Sequence, residues 1–134
     1  MPTKTEIIEF LAKEFPQNPC IVDEVAENEA TIRRPIDHRD LRPGGTVSGP
    51  VLMATADIAM YVAILATIGL VPLAVTTSFN INFLRRPTPH APIVARCKLL
   101  KVGRTLAVGA VDVYSDADLV AHATGTYSIP PRRA

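Results

Sequence analysis

Residues 48–67 read SGPVLMATADIAMYVAILAT and carry a single charge, the carboxylate of Asp57. From Val51 to Leu70 small and long-chain residues dominate (Leu52, Ala54, Ala56, Ala59, Met60, Ala63), a composition that favours helix, and Gly69 with Pro72 supplies the stop. Twenty mostly apolar residues also meet the length of a membrane span. Against a span, Asp57 near the middle would cost about 2.5 to 3.5 kcal/mol on insertion, and no asymmetric basic flank sets an orientation. A helix apolar on nearly every side can instead be buried by a sheet wrapped around it. The rest of the chain decides between the two.

Downstream the period changes from helical to two. In LAVTTSFNINFLRR (73–86), Val75, Thr77, Phe79, Ile81 and Phe83 are expected on one face, with Thr76, Ser78, Asn80 and Asn82 on the other. Further strands are expected at 92–102, 105–114 and 119–128, and their short connections imply antiparallel neighbours. Upstream, Ala30–Arg34 alternates as a strand, and DHRDLRPGG (37–45) is a polar, Gly/Pro-punctuated loop. At the start, Thr3 with Glu6 forms a capping box, Ile7, Phe10, Leu11 and Phe15 share a helical face, and Pro16 ends the helix. That helix is expected to act as a lid on the main body. The strands provide the wrapping sheet, so the expectation is one α+β domain over residues 1–134, with no membrane span; PPRRA (130–134) reads as a tail.

Fourteen Lys plus Arg face thirteen Asp plus Glu, a formal charge of +1, and no block of like charge exceeds a pair. A nucleic-acid partner, which needs concentrated basic surface, is not expected. Cys20 and Cys97 match no metal or redox spacing and read as buried or half-buried thiols, while the N-terminus lacks the apolar core of a secretory signal. A reducing, cytoplasmic setting is the expectation.

With these elements in order, the sequence resembles the phenylacetic-acid-degradation (PaaI-like) type of hot-dog acyl-CoA thioesterase across about residues 30–130. That family's pattern is His-Gly-Gly, six mostly apolar residues, then Asp. Here Ser48-Gly49-Pro50 is followed by VLMATA and Asp57, and the Asn80-x-Asn82 step and Gly125-Thr126-Tyr127 ending are similar too. The resemblance implies a curved antiparallel sheet around a long central helix, a homodimer with sites at its interface, sometimes paired into a tetramer, and an acyl-CoA substrate without a separate cofactor. Asp57, Gly49 and Thr76 carry over residue by residue. Ser48 stands in place of the family's histidine and Arg42 in place of a related asparagine. Those two departures motivate a second reading, a hot-dog protein that binds an acyl or aromatic CoA ligand without turning it over.

Thioester hydrolysis needs a polarised carbonyl and an activated oxygen nucleophile. Gly49 falls in the first helical turn, where amides lack intrahelical acceptors, and its missing side chain lets a ligand approach, so it is the expected oxyanion donor. Asp57 lies eight residues on, about 12 Å of helical rise, too far for one small carbonyl to touch both. A site using both must therefore be assembled between two protomers. Asp57 would serve as general base or direct nucleophile, and Thr76 could orient water or the carboxylate. Ser48 fits the N-cap, its hydroxyl able to bond an amide two or three residues on, or else touches substrate.

Tyr61, four residues after Asp57, shares its face and is expected to line the pocket. Arg85 and Arg86, with Lys101 and Arg104 behind them, are candidates for coenzyme A phosphates, as Arg42 is for substrate contact. Asn80 and Asn82 either face the acyl pocket or hydrogen-bond along the strand; Met53, Met60, Phe79 and Phe83 either close it or belong to the core. Other chemistries lack support: Ser48 has no nucleophile-elbow glycine two residues before it, and His38, His90 and His122 show no metal-ligand spacing.

Overall fold

In the computed structural model, which describes residues 1–131, the first helix (α1, Lys4–Glu14) has the capping box its sequence announces. The Thr3 hydroxyl accepts the Glu6 amide at 3.2 Å and the Glu6 carboxylate accepts the Thr3 amide at 3.0 Å, removing two orphan donors. Ile7 and Leu11 are its buried residues, with Phe10 and Phe15 packed beside the core. Arg132, Arg133 and Ala134, the end of the expected tail, lie outside the described residues.

Two strands follow, β1 (Ile21–Ala26) and β2 (Glu29–Arg34), then a two-residue-per-strand hairpin of β3 (Leu41–Arg42) and β4 (Thr46–Val47). Gly44 and Gly45 make that hairpin turn with φ of +100° and +77°, a left-handed backbone that residues with a Cβ adopt at a cost. The central helix (α2, Gly49–Ile68) starts two residues before the apolar run and ends at Gly69, whose φ is +115°. After it come β5 (Val75–Phe83), β6 (Ile93–Val102), β7 (Leu106–Ser115) and β8 (Asp118–Ser128).

The large sheet is antiparallel with strand order β1-β2-β6-β7-β8-β5. Its inner face is built mostly of apolar residues at alternate positions, such as Ile32, Ala95, Val113 and Ala121 in one cross-strand row. Several of them are small, which lets α2 lie close to the sheet. Gly125 marks the tightest approach: a Cβ there would fall 2.8 Å from the Phe79 ring and 3.0 Å from Met60 Sδ. From Ile58 to Ala66, every α2 residue except Tyr61 is buried, so a helix long enough for a bilayer is here a core helix covered by its own sheet.

The strict alternation expected for β5 is interrupted. A bulge between Thr76 and Ser78 leaves Thr77 unpaired, so Thr76 opposes Tyr127 while Phe79 opposes Gly125. Both therefore face α2, although their odd spacing would have put them on opposite faces. Asn80 and Asn82 oppose Thr124 and His122 and sit on the outer face, away from the helix; the pocket alternative for them does not hold within one chain. There His122 Nδ1 lies 2.8 Å from Asp112. Both cysteines are free thiols, pushed by burial to about 11 for Cys20 and about 12 for Cys97.

Candidate active site

The bulge aims Thr76 at the middle of α2. Its hydroxyl donates to Asp57 Oδ1 at 2.7 Å, and the Tyr127 hydroxyl from β8 reaches the same oxygen at 2.7 Å and the Asp57 carbonyl at 3.0 Å. Among the described residues Oδ2 takes no protein donor, and Asp57 is half-buried at the wall of a cleft of about 400 Å³. Ala54, Ile58, Ala74 and Val75 give that cleft apolar walls, while Glu14 and Phe15 at the end of α1 close one side.

Tyr61 lines the same cleft, its ring stacked with Tyr127 at a centroid distance of 6.3 Å, and its hydroxyl donates to the Pro72 carbonyl at 3.2 Å. Burial, and next the charge of Asp57, holds the Tyr127 phenol above the ordinary tyrosine range, so it remains a donor. Tyr61 is also raised, by burial and then by the Glu14 charge.

Gly49 lies at the other end of the helix's first three turns, in a second cleft of about 400 Å³. The Phe83 ring rests on it: a Cβ at position 49 would lie 3.2 Å from Phe83 Cζ. Among the described residues the Gly49 amide finds no acceptor. Ser48 occupies the N-cap with extended backbone, but its hydroxyl makes no capping bond. Pro50 removes the donor at the second helical position, and the Val51 amide goes to the Ser48 carbonyl at 3.2 Å. The expected cap bond is thus absent, and the half-buried hydroxyl is left available beside the Gly49 amide.

Arg42, Arg85 and Arg86 line this second cleft. Arg85 already pairs with Asp118 at 3.1 Å, both exposed, whereas Arg86 has no ion-pair partner among the described residues. Arg104 is not brought to either cleft; it lies beside Ile68, at the far end of a helix about 30 Å long. Met60 and Phe79 belong to the core, Met53 is exposed, and Phe83 covers Gly49. In one chain, then, Asp57, Thr76 and Tyr61 come together, and Gly49, Arg42, Arg85 and Arg86 come together, in separate clefts. Sequence reasoning missed Tyr127, Glu14 and Phe15 as site residues. For Tyr127 a signal existed: a tyrosine among inward-facing Ala121, Ala123 and Gly125 brings a buried hydroxyl that must find a partner.

The chain belongs to the thioesterase superfamily, whose model matches residues 44–122, a stretch that holds both Gly49 and Asp57. It is similar to a provisionally designated thioesterase from Silicibacter sp. TM1040, with 42% identity over 96% of this chain and 92% of that one, at a TM-score of 0.87. It is also similar to a mutant of the phenylacetic acid degradation protein PaaI from Thermus thermophilus, with 27% identity over 91% of this chain and 99% of that one, at a TM-score of 0.75. A hypothetical thioesterase protein from Streptococcus pneumoniae, solved with coenzyme A, shares the fold at 19% identity and a TM-score of 0.78, covering 98% of this chain and 100% of that one. No curated protein matches the chain. The hot-dog architecture and PaaI-like type expected from the sequence are thereby shown.

Proposed function

We propose that the chain is an acyl-CoA thioesterase that works as a homodimer, each site combining the Asp57 cleft of one protomer with the Gly49 cleft of its twin. The observation that carries this reading is the Asp57 carboxylate, clamped through Oδ1 by Thr76 and Tyr127 at 2.7 Å each while Oδ2 has no donor among the described residues. Oδ2 takes a proton from water as the hydroxyl adds to the thioester carbonyl, or attacks that carbon itself. The partner's Gly49 amide, unpaired at a helix N-terminus, receives the negative charge that develops on the carbonyl oxygen. Collapse of the adduct breaks the C–S bond: in the first route the departing thiolate takes the proton held on Oδ2, and in the second it leaves an acyl anhydride on Asp57, which water hydrolyses to free the acid, restore the carboxylate and supply the thiol's proton.

Two features support pairing. The clefts are too far apart along one helix to serve one carbonyl, and β5 is an edge strand carrying exposed Val75 and Phe83, each 54% accessible. Edge-to-edge pairing of β5 with a second copy would cover them. Arg42 and Arg86 at the Gly49 cleft suit the phosphates of coenzyme A, the ligand present in the Streptococcus pneumoniae structure.

The test is a panel of short, medium, long and aromatic acyl-CoAs with free thiol as readout. Asp57→Asn is expected to lower kcat by at least about a hundredfold on whichever substrate the wild type prefers. Wild type and mutant hydrolysing every thioester equally slowly would remove the enzymatic reading and leave ligand binding without turnover.

A further inference from the structure

Two neighbouring arginines at the end of β2 are paired in different surroundings. Arg33 reaches Asp23 at 3.2 Å with both side chains half-exposed. Arg34 falls instead on the inner face with Ile32, opposite the buried Ile93 of β6. It reaches Asp40 at 3.1 Å, and both side chains are only 15% accessible. The Arg34 Nε is buried and has no partner among the described residues. Burying two charges and leaving a donor unpaired costs free energy that apolar side chains of similar size would not. Stability therefore does not account for this pair, whereas its connections do.

Asp40 ends a 3-10 turn (His38–Asp40) just before the β3–β4 hairpin and is bonded on three sides. Its Oδ1 takes Arg34, its Oδ2 accepts the Asp37 amide at 2.9 Å, and its carbonyl accepts the Ser48 amide at 2.9 Å. The Ser48 carbonyl in turn accepts the Val51 and Leu52 amides at 3.2 and 3.3 Å, which begins α2. That carbonyl shares one planar peptide with the Gly49 N–H, so whatever turns Ser48 turns the Gly49 amide with it. The far arm of the hairpin is tied separately, the Thr46 hydroxyl donating to the Pro87 carbonyl at 3.1 Å. Loss of the Arg34–Asp40 pair would leave the hairpin attached and loosen the seat of Ser48.

We propose that Arg34 and Asp40 are positioning residues for the Gly49 amide: their buried pair anchors Ser48 to the sheet and so sets the direction in which that amide points. The proposal rests on the thioesterase reading, in which the amide receives the charge of the carbonyl oxygen. A displaced amide still admits the substrate but meets the developing charge poorly, so the loss falls on kcat rather than on KM.

The experiment compares wild type, Asp40→Asn, Arg34→Lys, the double variant Arg34→Met/Asp40→Leu and Asp57→Asn on whichever acyl-CoA the wild type hydrolyses fastest. Asp40→Asn should lower kcat about tenfold with KM within about twofold, a part of what losing an oxyanion donor outright costs. Arg34→Lys keeps a cation on Asp40 and should stay within about threefold of wild type. The apolar double variant should melt at or above the wild-type temperature and still show the lowered kcat, which separates positioning from stability. Hydrogen exchange followed by NMR reads the anchor without turnover: in Asp40→Asn the Ser48 amide should exchange at least about tenfold faster while the amides of Ile58–Ala66 keep their wild-type rates. Wild-type kcat in the folded double variant, unchanged Ser48 exchange in Asp40→Asn, or faster exchange along all of α2 overturns the proposal. Should the double variant not fold, Asp40→Asn and Arg34→Lys decide by the same kcat and exchange values. Asp57→Asn tests the thioesterase reading separately: if it matches a slow wild type on every acyl-CoA, that reading falls and Ser48 exchange alone decides the anchor.

Discussion

The two clefts along α2 are alike in size and opposite in chemistry. Around Asp57, protons are tied up inside the protein, the walls are largely apolar and the carboxylate is held by two hydroxyls. Around Gly49, an amide and a serine hydroxyl are left without partners among the described residues, and three arginines stand at the rim. One region presents acceptors and a base, the other donors and positive charge. On the proposed reading neither is a complete hydrolase by itself, and a thioester with its phosphate-bearing leaving group would use both.

The largest effect is expected from mixing chains. Asp57→Asn and Gly49→Val homodimers should each fall at least about a hundredfold in kcat, but subunit exchange between them should restore about a quarter of wild-type sites, because half the dimers then carry one intact site. A double mutant mixed with itself should restore nothing. No recovery on exchange would mean that each site is built within one chain.

A smaller effect tests how the carboxylate is held. Tyr127→Phe leaves Thr76 as the remaining clamp on Oδ1, and should lower kcat about tenfold with KM little changed, together with a loss of roughly 1.5 to 3 kcal/mol of unfolding free energy in denaturant titration. A KM effect alone would make the tyrosine a wall of the cleft only. The smallest effect belongs to the other region. Arg86→Ala should raise KM for acyl-CoA a few-fold with kcat unchanged, and Arg85→Ala less, because Arg85 is already paired with Asp118. Steady-state kinetics at two salt concentrations checks both, since the Arg86 effect should shrink as salt screens it.

Much of this was legible in residue patterns. The cap at Thr3, the long apolar helix and the period-two strands are local properties, set by side-chain type at fixed spacing, and the structure places all of them within a few residues of their expected limits. The strand β1 was less visible, since residues 20–36 mix apolar and polar types without clean alternation, and its pairing with β2 includes an irregularity between Val22 and Glu24. At Ser48 the local rule failed because it counts donors by position, and Pro50 has no donor to offer.

Residue patterns alone settled the fold and picked out the two chemical poles of the candidate site: an acid within an apolar helix and a glycine at its start, eight residues apart. Which side chains meet that acid was decided only in three dimensions. A one-residue bulge in β5 turns Thr76 toward the helix, antiparallel pairing carries Tyr127 beside it, and packing of α1 brings Glu14 from the opposite end of the chain. The reason is physical: periodicity fixes the face a residue takes within its own element, whereas a bulge or a packing contact depends on atoms far away in sequence.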